Sequence, residues 1–167
     1  MPAIVLKLGN DISTDVIYPG RYMATVLPTE TPQFAFADLA EFNARLKGKQ
    51  IPPGSVILAG KNFGCGSSRE QAVSTLKGHE LTIVAESFAR IFLQNAINLG
   101  LRLVTAPGFD GAEGDEIQIQ TDRVVNARTG QSVATVRLPA ARQAILDAGG
   151  LIAYTRARLA ETQKAGR

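Results

Sequence analysis

A single cysteine, Cys65, stands in the 167-residue chain. One thiol cannot close an internal disulfide, nor can it hold an iron–sulfur cluster, which draws on several thiolates. An unpaired thiol points to a reducing compartment, and a cytoplasmic setting is expected. The chain also has one histidine, His79. It follows Gly78 at the end of a predicted helix, where a loop or dipole-facing position explains it better than a catalytic role. No apolar run approaches the roughly 20 residues that cross a bilayer. Residues 1–8 lack the basic segment and long apolar stretch of a secretory leader. There is no internal repeat and no low-complexity linker. The net charge is +3, but the basic residues are scattered and aromatics make up only 6%. A nucleic-acid surface therefore has no footprint. Only residues 156–167 are locally basic, and a solvated final helix accounts for them. Asp110, Glu113, Asp115 and Glu116 lack calcium-loop spacing and read as a solvated turn.

What is there reads as one α/β domain. Hydrophobic residues are 45% and charged residues 20% of the chain, a globular balance over a length that buries a real core. Residues 3–8 read as a strand entering the turn Gly9-Asn10-Asp11. Residues 12–32 hold three prolines and no period, and are expected to form a mobile loop. Phe34, Ala37, Leu39, Phe42 and Leu46 carry helical spacing. A buried strand over 55–59 leads into a glycine-rich loop over 60–68. A helix over about 68–77 follows and ends at Gly78. Strand 81–85, helix 88–98 and strand 101–105 continue the alternation, which predicts a parallel unit. Residues 116–136 are β-rich and read as attached hairpins. Pro139 opens a helix, Gly149-Gly150 interrupts it, and a last helix fills about 151–167. The expected architecture is a single domain over 1–167, with a mixed sheet flanked by helices.

The segment from Gly60 to Gln71 carries the chemistry: Gly60-Lys61-Asn62-Phe63-Gly64-Cys65-Gly66-Ser67-Ser68-Arg69-Glu70-Gln71. Glycines at 60, 64 and 66 allow positive φ and close approach of a ligand. A helix start aims free N–H groups and the positive end of its dipole into the same space, so an anion fits there. Arg69 adds a fork of donors suited to a carboxylate or phosphate, and Ser67 and Ser68 add hydroxyls. The same residues also spell caps: Ser67-x-x-Glu70 and Ser68-x-x-Gln71 both match a capping box. Spacing alone leaves both readings open. The pattern is neither a P-loop nor Gly-x-Gly-x-x-Gly.

Three blocks resemble the aconitase and isopropylmalate isomerase family. Asn62-Phe63-Gly64-Cys65-Gly66-Ser67-Ser68-Arg69-Glu70 is similar to the signature of its swivel domain. Thr14-Asp15 with Ile17-Tyr18-Pro19-Gly20-Arg21-Tyr22 resembles its N-terminal block. Ser87-Phe88-Ala89-Arg90-Ile91-Phe92 with Asn95-Ala96-Ile97-Asn98-Leu99-Gly100 resembles its third block. The resemblance implies a swivelling β/β/α domain like the fourth domain of aconitase, here as a stand-alone small subunit. It implies a hydro-lyase that shifts a hydroxyl between adjacent carbons of a small di- or tricarboxylic acid. It also implies a 4Fe-4S cluster held by cysteines of a separate large subunit, with no cofactor or metal ligand in this chain. Ser67 falls on the family's catalytic base and Asp15 on its active-site aspartate. Ser68 and Arg69 fall on contacts to substrate carboxylate. Gln71 stands where many members have histidine, and Cys65 where aconitase has an acid.

In this family the residues after Tyr22 read the substrate. Met23-Ala24-Thr25-Val26-Leu27 carries no arginine. Ala24 and Thr25 are therefore expected to face an alkyl group, as in 2- and 3-isopropylmalate of leucine biosynthesis. Homoaconitase, dimethylmalate dehydratase and other alkylmalate dehydratases share the framework. A non-catalytic anion-binding module of the same fold is the contrasting class. An isolated small subunit exposes a face meant for its partner, and self-association over that face is expected.

Overall fold

The protein was analysed as a computed structural model in which residues 1–166 are described; Arg167, the end of the expected last helix, lies outside the described residues. Four short strands, β1 (Ile4–Lys7), β2 (Val56–Ala59), β3 (Thr82–Ala85) and β4 (Leu103–Thr105), form a parallel sheet in sequence order. Helices α3 (Glu70–Gly78) and α4 (Arg90–Leu99) make the crossovers β2–β3 and β3–β4, as the alternation predicts. Every residue of β2 and β3 is buried. The period-two geometry of a strand divides those side chains between two cores. Ile57, Ala59, Ile83 and Ala85 point to the helical side with Val73, Leu76 and Phe92. Val56, Leu58 and Val84 point the other way, to Phe109, Ile117 and Val124.

That second side is covered by an antiparallel sheet of β5 (Ile117–Ile119), β6 (Arg123–Asn126) and β7 (Ser132–Ala134). The layers are thus antiparallel sheet, parallel sheet and helices, the β/β/α order expected. The parallel and antiparallel strands expected in one mixed sheet form two sheets, joined by single bridges at Ala3–Glu116 and Thr105–Val136. Helices α5 (Ala140–Asp147) and α6 (Leu151–Ala165) follow. No helix among the described residues is long and apolar enough to cross a membrane.

Two local expectations are corrected. The helical spacing from Phe34 to Leu46 does not yield one helix. A 3-10 turn (Thr31–Phe34) gives way to an irregular stretch, and α2 starts only at Ala40 and runs to Lys47. Phe36 breaks the helix by taking φ +49°, which lets its fully buried ring meet Phe42 edge-on at 5.6 Å. Nor is Asp115 part of a solvated turn. It is 4% exposed and accepts hydrogen bonds from Ala112 N, Asn126 Nδ2 and the Arg128 guanidinium. Its partners hold its carboxyl far below the usual carboxylate range, with Arg128 the largest influence. Asp110 pairs with Lys7 instead.

Beyond their last residues, the segments that follow β1, β2 and β3 stay joined by backbone hydrogen bonds. Gly60 N–H donates to Gly9 O at 3.0 Å, Asp11 N–H to Lys61 O at 2.8 Å and Gly64 N–H to Ile12 O at 2.7 Å. On the other flank, Phe63 N–H donates to Ser87 O at 3.0 Å and Ala89 N–H to Phe63 O at 2.9 Å. Phe63 anchors this platform: it is fully buried, with its ring edge-on to Phe88 at 6.1 Å and Phe92 at 5.3 Å. Phe63→Ala is expected to lower stability by about 3–5 kcal/mol through the cavity it leaves. Urea titration would read this as a lower midpoint at unchanged slope; a loss below about 1 kcal/mol would show that the platform does not hang on this ring.

Candidate active site

The glycine-rich loop lies at the carboxyl edge of the parallel sheet, where open α/β sheets place their ligands. Its shape is set by side chains beneath it. Gly64 sits at φ +84°, and a Cβ there would run into the Phe92 ring. Gly66 also takes positive φ, 97°. Gly60 does not; it is small because the Asn10 side chain lies against it, and Asn10 Oδ1 accepts the Lys61 N–H at 2.8 Å. The unexpected left-handed residue is Asn62, at φ +60°. Its amide donates to Asp11 Oδ1 at 2.8 Å, and its backbone N–H donates to Ser87 Oγ at 2.9 Å.

Neither serine caps the helix. α3 starts at Glu70, its N-cap position is Arg69, and no side chain closes the cap. Of the two readings open from spacing, the capping box is therefore not formed, and N–H groups of the first turn stay available at the positive end of the helix. Ser67 and Ser68 are both exposed. The Ser67 hydroxyl lies 3.1 Å from Thr14 Oγ1, and the Ser68 carbonyl accepts from Asn95 Nδ2 at 3.3 Å.

Segment 12–32, expected as a loop, contains a short helix, α1 (Thr14–Ile17), capped by Ser13, whose Oγ accepts the Val16 N–H at 3.3 Å. Ile17 and Tyr18 are fully buried, which fixes α1 against the core. α1 delivers Asp15 to Arg69: Arg69 Nη1 donates to Asp15 Oδ1 at 2.7 Å and to Tyr18 O at 3.2 Å. Asp15 Oδ1 also accepts the Gly20 N–H at 2.8 Å. Arg69, and after it the Gly20 N–H, hold the Asp15 carboxyl below the usual carboxylate range. Asp15 is thus an anion at neutral pH that aims a guanidinium. Arg69 remains partly accessible, its side chain 20% exposed.

Ala24 and Thr25 lie beyond Tyr22 on the exposed tip of the segment. No side-chain hydrogen bond joins either to the serine loop among the described residues. The tip is tied instead through backbone: Gln71 Nε2 donates to Met23 O at 3.4 Å, and the Tyr18 hydroxyl reaches Tyr22 O and Thr25 O at 3.1 and 3.2 Å. Gln71 therefore tethers the tip to the first turn of α3. Arg21 is engaged elsewhere, paired with Asp38 and stacked 4.7 Å over the Tyr22 ring. His79 ends α3, its Nε2–H donating to Pro32 O at 2.8 Å. Arg90 opens α4, exposed, and no acid pairs with it among the described residues.

The structure thus brings Asp15, Ser67, Ser68 and Arg69 to one edge. Sequence reasoning passed over Thr14 and Asn95, the two side chains that touch the serines. Thr14 stands beside Asp15 in a block read for its acid, and nothing in periodicity marks a buried hydroxyl. The residues do not fit an iron–sulfur cluster, because Cys65 is the one thiol. Among the described residues no group of three His, Cys, Asp or Glu side chains is placed to hold a metal.

The Aconitase C-terminal domain family matches residues 11–107. The isopropylmalate/citramalate isomerase small subunit of Methanocaldococcus jannaschii is 42% identical over 165 residues, covering 95% of each chain. The 3-isopropylmalate dehydratase small subunit of Aquifex aeolicus is 44% identical, over 93% of this chain and 94% of its own. The crystal structure of 3-isopropylmalate dehydratase from Methanocaldococcus jannaschii superposes with a TM-score of 0.87 at 36% identity, covering 98% of this chain and 97% of that one.

Because Arg69 is the largest influence on Asp15, Arg69→Ala is expected to move the Asp15 titration midpoint up toward that of a free aspartate. The pair is present at neutral pH and lost only as pH falls through the lowered midpoint. Carboxyl carbon chemical shifts across an acid titration would follow it; an unmoved midpoint would assign the effect to the Gly20 N–H.

Proposed function

The chain belongs to the aconitase C-terminal domain family, and on that footing we propose that it is the small subunit of a heteromeric hydro-lyase that interconverts 2-isopropylmalate and 3-isopropylmalate in leucine biosynthesis. The observation that carries this reading is an exposed serine hydroxyl at an uncapped helix start, beside an arginine aimed by its own aspartate. Dehydration removes a proton from a carbon next to a carboxylate, so negative charge develops there. Ser67 is the base that takes this proton. Ser68, the Arg69 fork and the first-turn N–H groups of α3 hold the carboxylate and stabilise the developing charge. Asp15 orients Arg69 and stays ionised while doing so.

The departing hydroxyl needs a Lewis acid, and the single thiol of this chain cannot assemble one. A 4Fe-4S cluster held by the large subunit would supply that Lewis acid. The same requirement explains why the catalytic edge of this subunit lies open. The reading keeps the protein in the cytoplasm, where one unpaired thiol persists.

Ala24 and Thr25 face the alkyl substituent. The tip they occupy carries exposed Met23, Val26 and Leu27, and the nearby Arg21 is taken by Asp38, so a second distal carboxylate has no cation on this loop. A relative named for both isopropylmalate and citramalate extends the range to the shorter alkylmalate. Each methylene is worth roughly 10–200-fold in discrimination, so the two acids separate by rate. All of residues 1–167 act as one swivel domain, with segment 12–32 as its specificity loop.

Two measurements test this. Anaerobic reconstitution with the cognate large subunit, assayed on isopropylmalate, citramalate, dimethylmalate, homocitrate and citrate, should give turnover that needs both chains. Ser67→Ala should lower kcat about 100–10,000-fold. A well-loaded complex inactive on all of them would leave a non-catalytic anion-binding module. In hydrogen exchange, amides in the tip (residues 26–29) should exchange faster than those of Gly60, Phe63 and Gly64, which donate in the backbone ladder; equal protection would refute a mobile specificity loop.

A further inference from the structure

We infer that Thr14 is the positioning residue for the Ser67 hydroxyl during proton transfer, an inference that rests on the hydro-lyase reading above. Thr14 is 2% exposed, and every hydrogen bond of its hydroxyl goes to Ser67. Its Oγ1 lies 3.2 Å from Ser67 N, 3.2 Å from Ser67 O and 3.1 Å from Ser67 Oγ. Its own N–H donates to Cys65 O at 2.7 Å. Backbone and side chain are thus both fastened to the serine loop.

The valence of the hydroxyl gives this contact its consequence. A threonine hydroxyl has one proton and two lone pairs. The Ser67 N–H occupies one lone pair. With Ser67 neutral, its O–H donates to the other lone pair and the Thr14 proton goes to Ser67 O. With Ser67 ionised, the Thr14 proton turns to Ser67 Oγ and forms a charge-assisted bond. In the reaction the Ser67 alkoxide forms an O–H bond with the proton on the carbon beside the carboxylate. The C–H electron pair becomes the carbon–carbon double bond as hydroxide leaves the neighbouring carbon, to be taken up by the Lewis acid that the large subunit would supply. The Thr14 proton then swings back to Ser67 O. Thr14 neither gains nor loses a proton over the step; it changes acceptor, and it holds Ser67 Oγ in place in both states.

The titratable or charged groups within three residues of either hydroxyl are Asp11, Asp15, Cys65, Arg69 and Glu70. Asp15 and Arg69 are paired with each other, Asp11 accepts from Asn62, and α4 contributes the uncharged Asn95 amide next door.

The test uses the reconstituted two-subunit enzyme with Thr14→Val, Thr14→Ala and Thr14→Ser, beside Ser67→Ala. Thr14→Val keeps the shape and removes the hydroxyl; Thr14→Ala serves if valine disturbs assembly. Either should lower kcat about 10–100-fold with KM within about threefold. The ascending limb of the kcat–pH profile should move up by about one pH unit, because the serine oxyanion has lost a donor. Thr14→Ser, which restores the hydroxyl, should stay within about threefold of the parent. Unchanged kcat and limb in Thr14→Val and Thr14→Ala would overturn the inference. So would equal losses in all three variants with the limb unmoved, which is the mark of packing alone. If Ser67→Ala is itself fully active, Ser67 is not the base and this inference falls with that assignment, whereas a well-loaded parent complex inactive on every substrate would sink the hydro-lyase reading itself.

Discussion

The backbone ladder that runs on past the ends of β1, β2 and β3 is the constraint from which the rest of the site follows. Strands buried on both faces leave only their ends free to meet a ligand. Here the segments leaving three of those ends stay hydrogen-bonded to one another beyond the sheet, so the glycine-rich loop is the middle of three joined segments. Rigid elements hold functional groups more closely than loops do. Phe63 below and Asn62 beside it fix the plane, and Ser67 emerges where the ladder ends and α3 begins.

The electrostatics of the edge follow from that placement. α3 arrives without a side-chain cap, so its partial positive charge is not spent on the protein itself. Arg69 adds a full charge, and Asp15 directs it rather than cancelling it, since Asp15 Oδ1 is shared between the guanidinium and the Gly20 N–H. Gly20 lies so close that a Cβ there would stand 3.2 Å from Arg69 Nη2 and 3.3 Å from Asp15 Oδ1. The turn after α1 is therefore shaped around the ion pair, not merely adjacent to it.

Much of this was legible in the residues. The apolar runs of β2 and β3 and the hairpins after Asp115 obey local rules that tertiary packing did not override. The serine–arginine pair was legible through the three blocks that resemble the aconitase family, since spacing alone left an anion site and a pair of helix caps both open. What stayed hidden depended on neighbours far along the chain. Phe36 adopts a conformation that only its buried ring justifies, and that shortens α2. Asp115 looked like surface because its partner, Arg128, comes from a different strand end. Thr14 and Asn95 touch the serines from segments 53 and 27 residues away, and a sequence read in windows has no term for such contacts.

The exposed tip that carries Ala24 and Thr25 is moored to α3 and α1 through its main-chain atoms: Gln71 holds the Met23 carbonyl, and the Tyr18 hydroxyl holds those of Tyr22 and Thr25. Carbonyl oxygens are common to every residue type. Side chains on the tip can therefore be exchanged without disturbing the bonds that moor it or the groups proposed to move the proton. Under the role proposed for the tip, selection can tune which acid is accepted while the chemistry stays fixed, so a single scaffold can diversify into a set of paralogues that differ in appetite but not in mechanism.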